Sequence, residues 1–254
     1  MPLIDVNIGA RQQVATVTIA NARKLNTLNR ALMREFLAAF AQIKDNDSLR
    51  AVVLRGEGDR AFVGGADIEE MAALDSASAR DFITDIHRCC AAVRDFPVPV
   101  IARIAGYTLG AGLELAAACD LRVAADSAQF GMPEVKLGIP SVVEAALLPT
   151  LIGWGRARRL LLLGETINAA QAESWGLVER VVPLLEIDEA VAGFISRILE
   201  CGPQAIRLQK TLIRQWENLP LSSAIEAGIH SFESAYSSGE PTRMMKDFLL
   251  RRKR

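Results

Sequence analysis

Several residues and patterns that would define a function at once are scarce or missing in this sequence. Of its 254 residues only two are histidine and four are cysteine, and Cys89, Cys90, Cys119 and Cys201 lack the C-x-x-C spacing of a zinc or redox site. Reduced, buried thiols and no metal are therefore expected. Basic and acidic side chains number 29 and 30, a net charge of −1. That balance lacks the basic footprint with which proteins track a phosphate backbone or an anionic membrane, which argues against nucleic acid and membrane as partners. No uncharged apolar run approaches the ~18 residues that span a bilayer. Met1-Pro2-Leu3-Ile4-Asp5 has no basic region leading into an apolar one. The expectation is a soluble, unexported, cytoplasmic chain. A Gly-x-Ser-x-Gly elbow and a P-loop lysine are missing too, and two isolated histidines argue against a Ser/His/Asp arrangement. Gly56-Glu57-Gly58-Asp59-Arg60-Ala61 matches the dinucleotide fingerprint only loosely, because it runs into Phe62-Val63-Gly64-Gly65 instead of a helix.

What is present is apolar bulk: half the residues are hydrophobic and 23% charged, enough to expect a substantial core. Val14 to Ile19 alternates with period two, and Ala51 to Leu54 is a short apolar strand ending before Gly56. Between them Leu32, Phe36, Leu37, Phe40 and Ile43 recur at helical spacing. A helical stretch from Ala77 to Arg94 precedes a third strand, Pro99 to Ala105, and the segment Gly110 to Cys119 precedes a fourth, Leu121 to Ala125. Such alternation predicts a parallel, layered α/β sheet. After Val178 to Val182 the pattern turns helical over Ile187 to Cys201, Pro203 to Asn218, Leu221 to Ser237 and Pro241 to Leu250. Pro203 and Pro241 suit first turns, while Gly202 and Gly239 sit where helices stop. We divide the chain into an α/β core, 1–185, and a helical region, 186–254, too thin to form a good core alone, so that it must pack on something such as a neighbouring subunit.

Two glycine-rich segments follow predicted strands, Phe62-Val63-Gly64-Gly65-Ala66-Asp67-Ile68 and Gly106-Tyr107-Thr108-Leu109-Gly110-Ala111-Gly112-Leu113-Glu114. Either can serve tight turns and close packing alone. Together they offer bare backbone N–H groups at helix starts, and two such groups aimed at one oxygen make an oxyanion hole. Glu114 lies among Leu113, Leu115 and alanines, so its carboxylate is either desolvated, with a raised pKa, or held by a partner; a first-turn acid complementing the helix dipole is the plainer reading. Glu134, in Phe130-Gly131-Met132-Pro133-Glu134, is an ordinary loop acid or the other half of an acid/base pair. His87 and His230 read as packing or surface residues. Arg251-Arg252-Lys253-Arg254 reads as a solvated, frayed end, with a ligand phosphate as the less favoured alternative.

From about Val14 to Phe248 the sequence resembles the crotonase (enoyl-CoA hydratase/isomerase) superfamily. Ala61 to Ile68, Ala105 to Glu114, and Phe130 to Glu134 through Gly138-Ile139-Pro140 carry the likeness, in order and at the right separations. Leu160 to Gly164 and Ala169 to Val182 extend it. The resemblance implies an α/β, crotonase-like spiral of ββα turns with a C-terminal helical trimerisation region, assembled as a homotrimer or a hexamer of two trimers. It implies an acyl-CoA substrate whose thioester oxygen is held by the backbone N–H groups of Ala66 and Ala111. Glu114 would activate water for the β-carbon, and Glu134 would protonate the α-carbon of a trans-2-enoyl-CoA. No cofactor is implied beyond the coenzyme A of the substrate, expected near Lys24, Leu25, Gly64 and Ile68, with Phe82, Leu109, Met132 and Val142 as acyl-pocket walls. The same implication admits isomerase, decarboxylase, thioester hydrolase, or a non-catalytic or RNA-binding role. Ala111 stands where the family commonly has glycine, a change that a backbone donor tolerates. After Pro140 the chain reads Ser141-Val142-Val143-Glu144-Ala145-Ala146, where many hydratases carry a Gly-rich stretch leading to Gly-Gly-Thr-Gln, preceded by a loop one residue longer than here. Glu144 there is a third active-site acid or, as we favour, a helix first-turn carboxylate.

Overall fold

The computed structural model describes residues 2–11 and 13–252. Among these residues, ten strands form two sheets. In the larger, β1 (Ile4–Ile8) pairs antiparallel with β2 (Val14–Ile19), and β3 (Ala51–Gly56), β5 (Val100–Ile104), β7 (Leu121–Ala125) and β10 (Arg180–Val182) follow in parallel. The period of two in β2 turns Ala15, Val17 and Ile19 into the core, whereas β5, covered on both faces, is buried throughout. The smaller sheet has the order β4 (Ala61–Val63), β6 (Tyr107–Leu109), β8 (Gln129–Gly131), β9 (Thr166–Asn168), with β8 and β9 antiparallel. The single parallel sheet expected from alternation is thus replaced by two sheets, each with one antiparallel pairing. Strands of three residues are too short to show a period.

The pairs β3/β4, β5/β6 and β7/β8 each place one strand in each sheet, and the connections between successive pairs run through helices or turns. This is the spiral of ββα turns expected from the family likeness. Helix α1 (Arg30–Lys44) starts on Asn29, whose side chain accepts from the Leu32 N–H, and α2 (Ile68–Ala72) starts on Asp67 in the same way. Asp75 and Ser78 form a capping box on α3 (Ser76–Arg94). Helix α4 (Ala111–Ala118) has no wet face: all eight residues are buried, against α3, β4, β6 and a 3-10 turn at Val143–Leu147.

Beyond α5 (Leu148–Ile152), α6 (Trp154–Leu163) and α7 (Ala169–Trp175) come the four C-terminal helices. The first, α8 (Ile187–Glu200), lays Ile187, Val191 and Ile198 on the outer face of the large sheet against Val53, Ile101 and Val123, forming a second core. Next, α9 (Pro203–Trp216) is tied down by Lys210, whose Nζ donates to the carbonyls of Val93 and Val98 and to Asp120. Helices α10 (Leu221–Ser237) and α11 (Glu240–Arg251) extend from it, with Ile225, Ile229, Phe232, Phe248 and Leu249 exposed. Among the described residues no helix is long and apolar enough to cross a membrane.

Candidate active site

A cavity of about 640 Å³ opens where the chain leaves β4 and β6 to start helices. It brings together Gly64, Ala66 and Ile68 from the first corner with Leu109, Ala111 and Glu114 from the second. Phe82 of α3, with Glu134 and Val142 from the segment after β8, completes the set. Leu137, Ile139, Ile83 and Ile86 make the rest of the wall largely apolar, as small-molecule sites usually are.

The two corners leave paired strands but are built differently. Val63 and Thr108 are paired across β4 and β6, and Ala66 and Ala111 each lie three residues further on. Leu28 donates to Gly65 O and accepts from the Asp67 N–H, so in this parallel bridge the Ala66 N–H points away from Leu28. Ala111 is the first residue of α4, where no intrahelical acceptor exists. Among the described residues neither N–H has an acceptor. A Cβ on Gly112 would lie 2.0 Å from Val63 O, so α4 presses directly against β4 and holds the second corner to the first.

Glu114 is 4% exposed. Burial pushes its pKa from 4.5 up to about 8, helped by the nearby Glu134 and Glu144 charges and opposed by the N–H that Ala145 donates to its Oε1 at 3.2 Å. It is thus both desolvated and partnered, as well as one turn into its helix. Glu134 stands on a 3-10 turn, Pro133–Leu137, and its Oε2 accepts from Ser141 Oγ at 2.9 Å. Gly110 makes room for it: at φ +52° a Cβ there would lie 2.4 Å from Glu134 Oε1. A buried carboxyl with a perturbed pKa and a second one supplied with a hydroxyl donor, on one cavity wall beside two free N–H groups, can move protons next to a developing negative charge.

Three expected residues are not part of that wall. Met132, just past β8, is fully buried among the core side chains and does not line the cavity, where an acyl-pocket wall was expected. Lys24 lies outside the cavity with its ammonium engaged by Asp67 and Glu69. Leu25, in the left-handed region at φ +53°, lies outside the cavity, and its carbonyl accepts the Gly64 N–H. Of the basic C-terminal run, Lys253 and Arg254 lie outside the described residues. Among the described residues no group of three His, Cys, Asp or Glu is placed to hold a metal ion. Glu144 occupies the first turn of its 3-10 helix, as favoured, and does not line the cavity. Its bond to His87, and the hydroxyl that Ser141 gives Glu134, were not anticipated. A glutamate inside the apolar run Val142 to Leu148 was the one available signal for the former.

Comparison with known proteins matches residues 9–254 to the family model described as enoyl-CoA hydratase/isomerase. The crotonyl-CoA hydratase of Syntrophomonas wolfei is 34% identical over 98% of this chain and 96% of its own length. The short-chain-enoyl-CoA hydratase of Clostridium acetobutylicum is 32% identical over the whole chain and 97% of its own. The crystal structure of an enoyl-CoA hydratase from Bacillus anthracis superposes with a TM-score of 0.93 at 33% identity, covering 98% of this chain and 96% of that one. With two N–H-bearing corners, the ββα spiral and these likenesses over its full length, the chain belongs to the enoyl-CoA hydratase/isomerase family of the crotonase superfamily.

Proposed function

We propose that the protein is an enoyl-CoA hydratase, adding water reversibly and syn across a trans-2-enoyl-CoA to give the 3-hydroxyacyl-CoA. The observation that carries this reading is the convergence of Glu114, Glu134 and the free N–H groups of Ala66 and Ala111 on one apolar cavity. The thioester oxygen accepts from the two N–H groups. Ionised Glu114 takes a proton from water as its oxygen bonds to the β-carbon, the π electrons move onto the thioester oxygen, and the N–H pair stabilises that enolate charge. Protonated Glu134 then delivers its proton to the α-carbon; run backwards, the same pair expels water. A pKa for Glu114 near working pH keeps both of its forms within reach, which favours acid/base work in both directions.

Only protons and water move, so the reaction needs no metal or redox cofactor, and coenzyme A enters as part of the substrate. Phe82, Leu109 and Val142 line the acyl side, while Gly64 and the exposed Ile68 stand at the coenzyme A side, with Lys24 and Leu25 just beyond. The exposed apolar side chains of α10 and α11 support a homotrimer, or a hexamer of two trimers, in which neighbouring copies cover them.

The test is to follow loss of the conjugated-enoyl absorbance with crotonyl-CoA and a longer trans-2-enoyl-CoA. Wild-type protein is expected to consume one or both. Glu134→Gln is expected to keep thioester binding and lose about 10²- to 10⁴-fold in turnover. Full activity of that variant, or thioester binding by the wild type without hydration, refutes the hydratase reading.

A further inference from the structure

Glu144 is 3% exposed and outside the cavity, yet its carboxyl is engaged by two basic side chains. Its Oε1 meets His87 Nδ1 at 2.9 Å and lies 3.8 Å from Arg94 Nη1, while its Oε2 has no partner. His87 and Arg94 are two helical turns apart on one face of α3, so they grip the carboxylate together. Cys90, between them on the same helix, is buried with its thiol pushed up by that burial and by the Glu144 and Glu114 charges. Arg94 in turn pairs with Glu217 just past α9. The charged and titratable groups facing Glu144 are thus His87, Cys90 and Arg94 from α3 and Glu114 from α4.

The residues on either side of Glu144 make this clamp consequential. Val143 has φ +40°, a left-handed conformation that a β-branched side chain resists, so the turn holds that shape only if its surroundings impose it. Ala145 is the residue whose N–H, shared with the Val142 carbonyl of the turn at 2.9 Å, also reaches Glu114 Oε1 at 3.2 Å. A strained residue, an anchored one and a donor to Glu114 follow one another directly.

We propose that Glu144, gripped by His87 and Arg94, is a positioning residue that holds the strained Val143–Leu147 turn against α4 so that the Ala145 N–H stays on Glu114. The proposal rests on the reading of Glu114 as the water-activating base. Its clamp is testable without any turnover. Replacing Glu144 with glutamine weakens the grip, and hydrogen exchange across 141–148 is expected to speed up about tenfold or more, because the Ala145 amide opens more often. Unchanged exchange overturns the proposal. In turnover with a trans-2-enoyl-CoA, Glu144→Gln is expected to lower kcat about 10- to 100-fold with KM within about threefold, because binding groups are untouched.

Two double variants separate positioning from other causes. In a Glu114→Gln background, Glu144→Gln is expected to cost nothing further, since both act on one group; losses that multiply in full overturn the proposal. Adding Val143→Gly to Glu144→Gln relieves the strain that the clamp opposes and is expected to recover about fivefold or more of the lost kcat. No recovery overturns positioning in favour of a pure charge effect. If Glu144→Gln does not fold, His87→Asn at the half-exposed end of the grip takes its place, with an expected three- to tenfold fall in kcat, and wild-type exchange and turnover there overturn the proposal. Full activity of Glu114→Gln alone would instead remove the base reading while leaving the exchange result to judge the clamp.

Discussion

Gly110→Ala tests how finely the cavity wall is set. Gly110 combines φ +52° with ψ −122°, a region closed to residues with a Cβ, and its missing side chain is the space that Glu134 fills. The added methyl would lie 2.4 Å from Glu134 Oε1, where ordinary contact begins at 3.4 Å, so the carboxylate must retreat by about 1 Å. Glu134 is the far end of a flexible side chain, and its retreat is cheap in stability. The backbone strain remains, at about 1–3 kcal/mol, or a fall in Tm of about 2–12 °C at this chain length. Turnover is more sensitive, since a group misplaced by 1 Å costs about 10²-fold. The expected pattern is a modestly destabilised protein that binds CoA thioesters and turns over about a hundredfold more slowly. The assays are a thermal melt and the enoyl-absorbance rate measured on the same sample. Wild-type turnover with the expected loss of stability would refute the claim that Glu134 acts from the position held open by Gly110.

Glu114 makes stability depend on pH in the direction opposite to a salt-bridged acid. The folded protein holds this proton up to about 8 whereas the unfolded chain releases it near 4.5, so the stabilising contribution is complete below 4.5 and is lost as pH rises towards 8. The slope in that window reaches about 1.4 kcal/mol per pH unit. Urea unfolding at several pH values should show it in the wild type and a flatter profile in Glu114→Gln; equal slopes would contradict it. Away from the cavity, Lys210→Met leaves Asp120 and two carbonyls without their buried ammonium. It should cost about 2–5 kcal/mol by urea unfolding with kcat unchanged, and a variant as stable as wild type would show that the ammonium does not hold α9 to the core.

Much of the large sheet could be read directly, because each of its long strands carries enough side chains to show a pattern. Val14 to Ile19, Ala51 to Leu54 and Leu121 to Ala125 lie within strands of that sheet, and the four C-terminal helices begin and end within two residues of their expected limits. The small sheet was invisible, since β4, β6, β8 and β9 are three residues each and owe their extended form to neighbours. The same distinction divides the site. Glu114 stood out by local contrast with the apolar residues around it, and the N–H corners by their glycines. Met132 gave no such contrast: it follows an apolar strand into the core, and nothing local distinguishes a core side chain from a cavity wall. The grip of His87 on Glu144 spans 57 residues of sequence, and no local pattern encodes a contact made only when α3 packs against a turn.

The registered pairing of Val63 with Thr108 works as a ruler. Ala66 and Ala111 each lie three residues beyond it, so the two segments set out from strands about 4.8 Å apart, a length fixed by peptide hydrogen bonding in any sequence. No side-chain replacement rescales that length. The lining from α3 and the 133–142 segment can therefore drift to change the shape of the cavity, while the strands that carry the two corners keep their calibration.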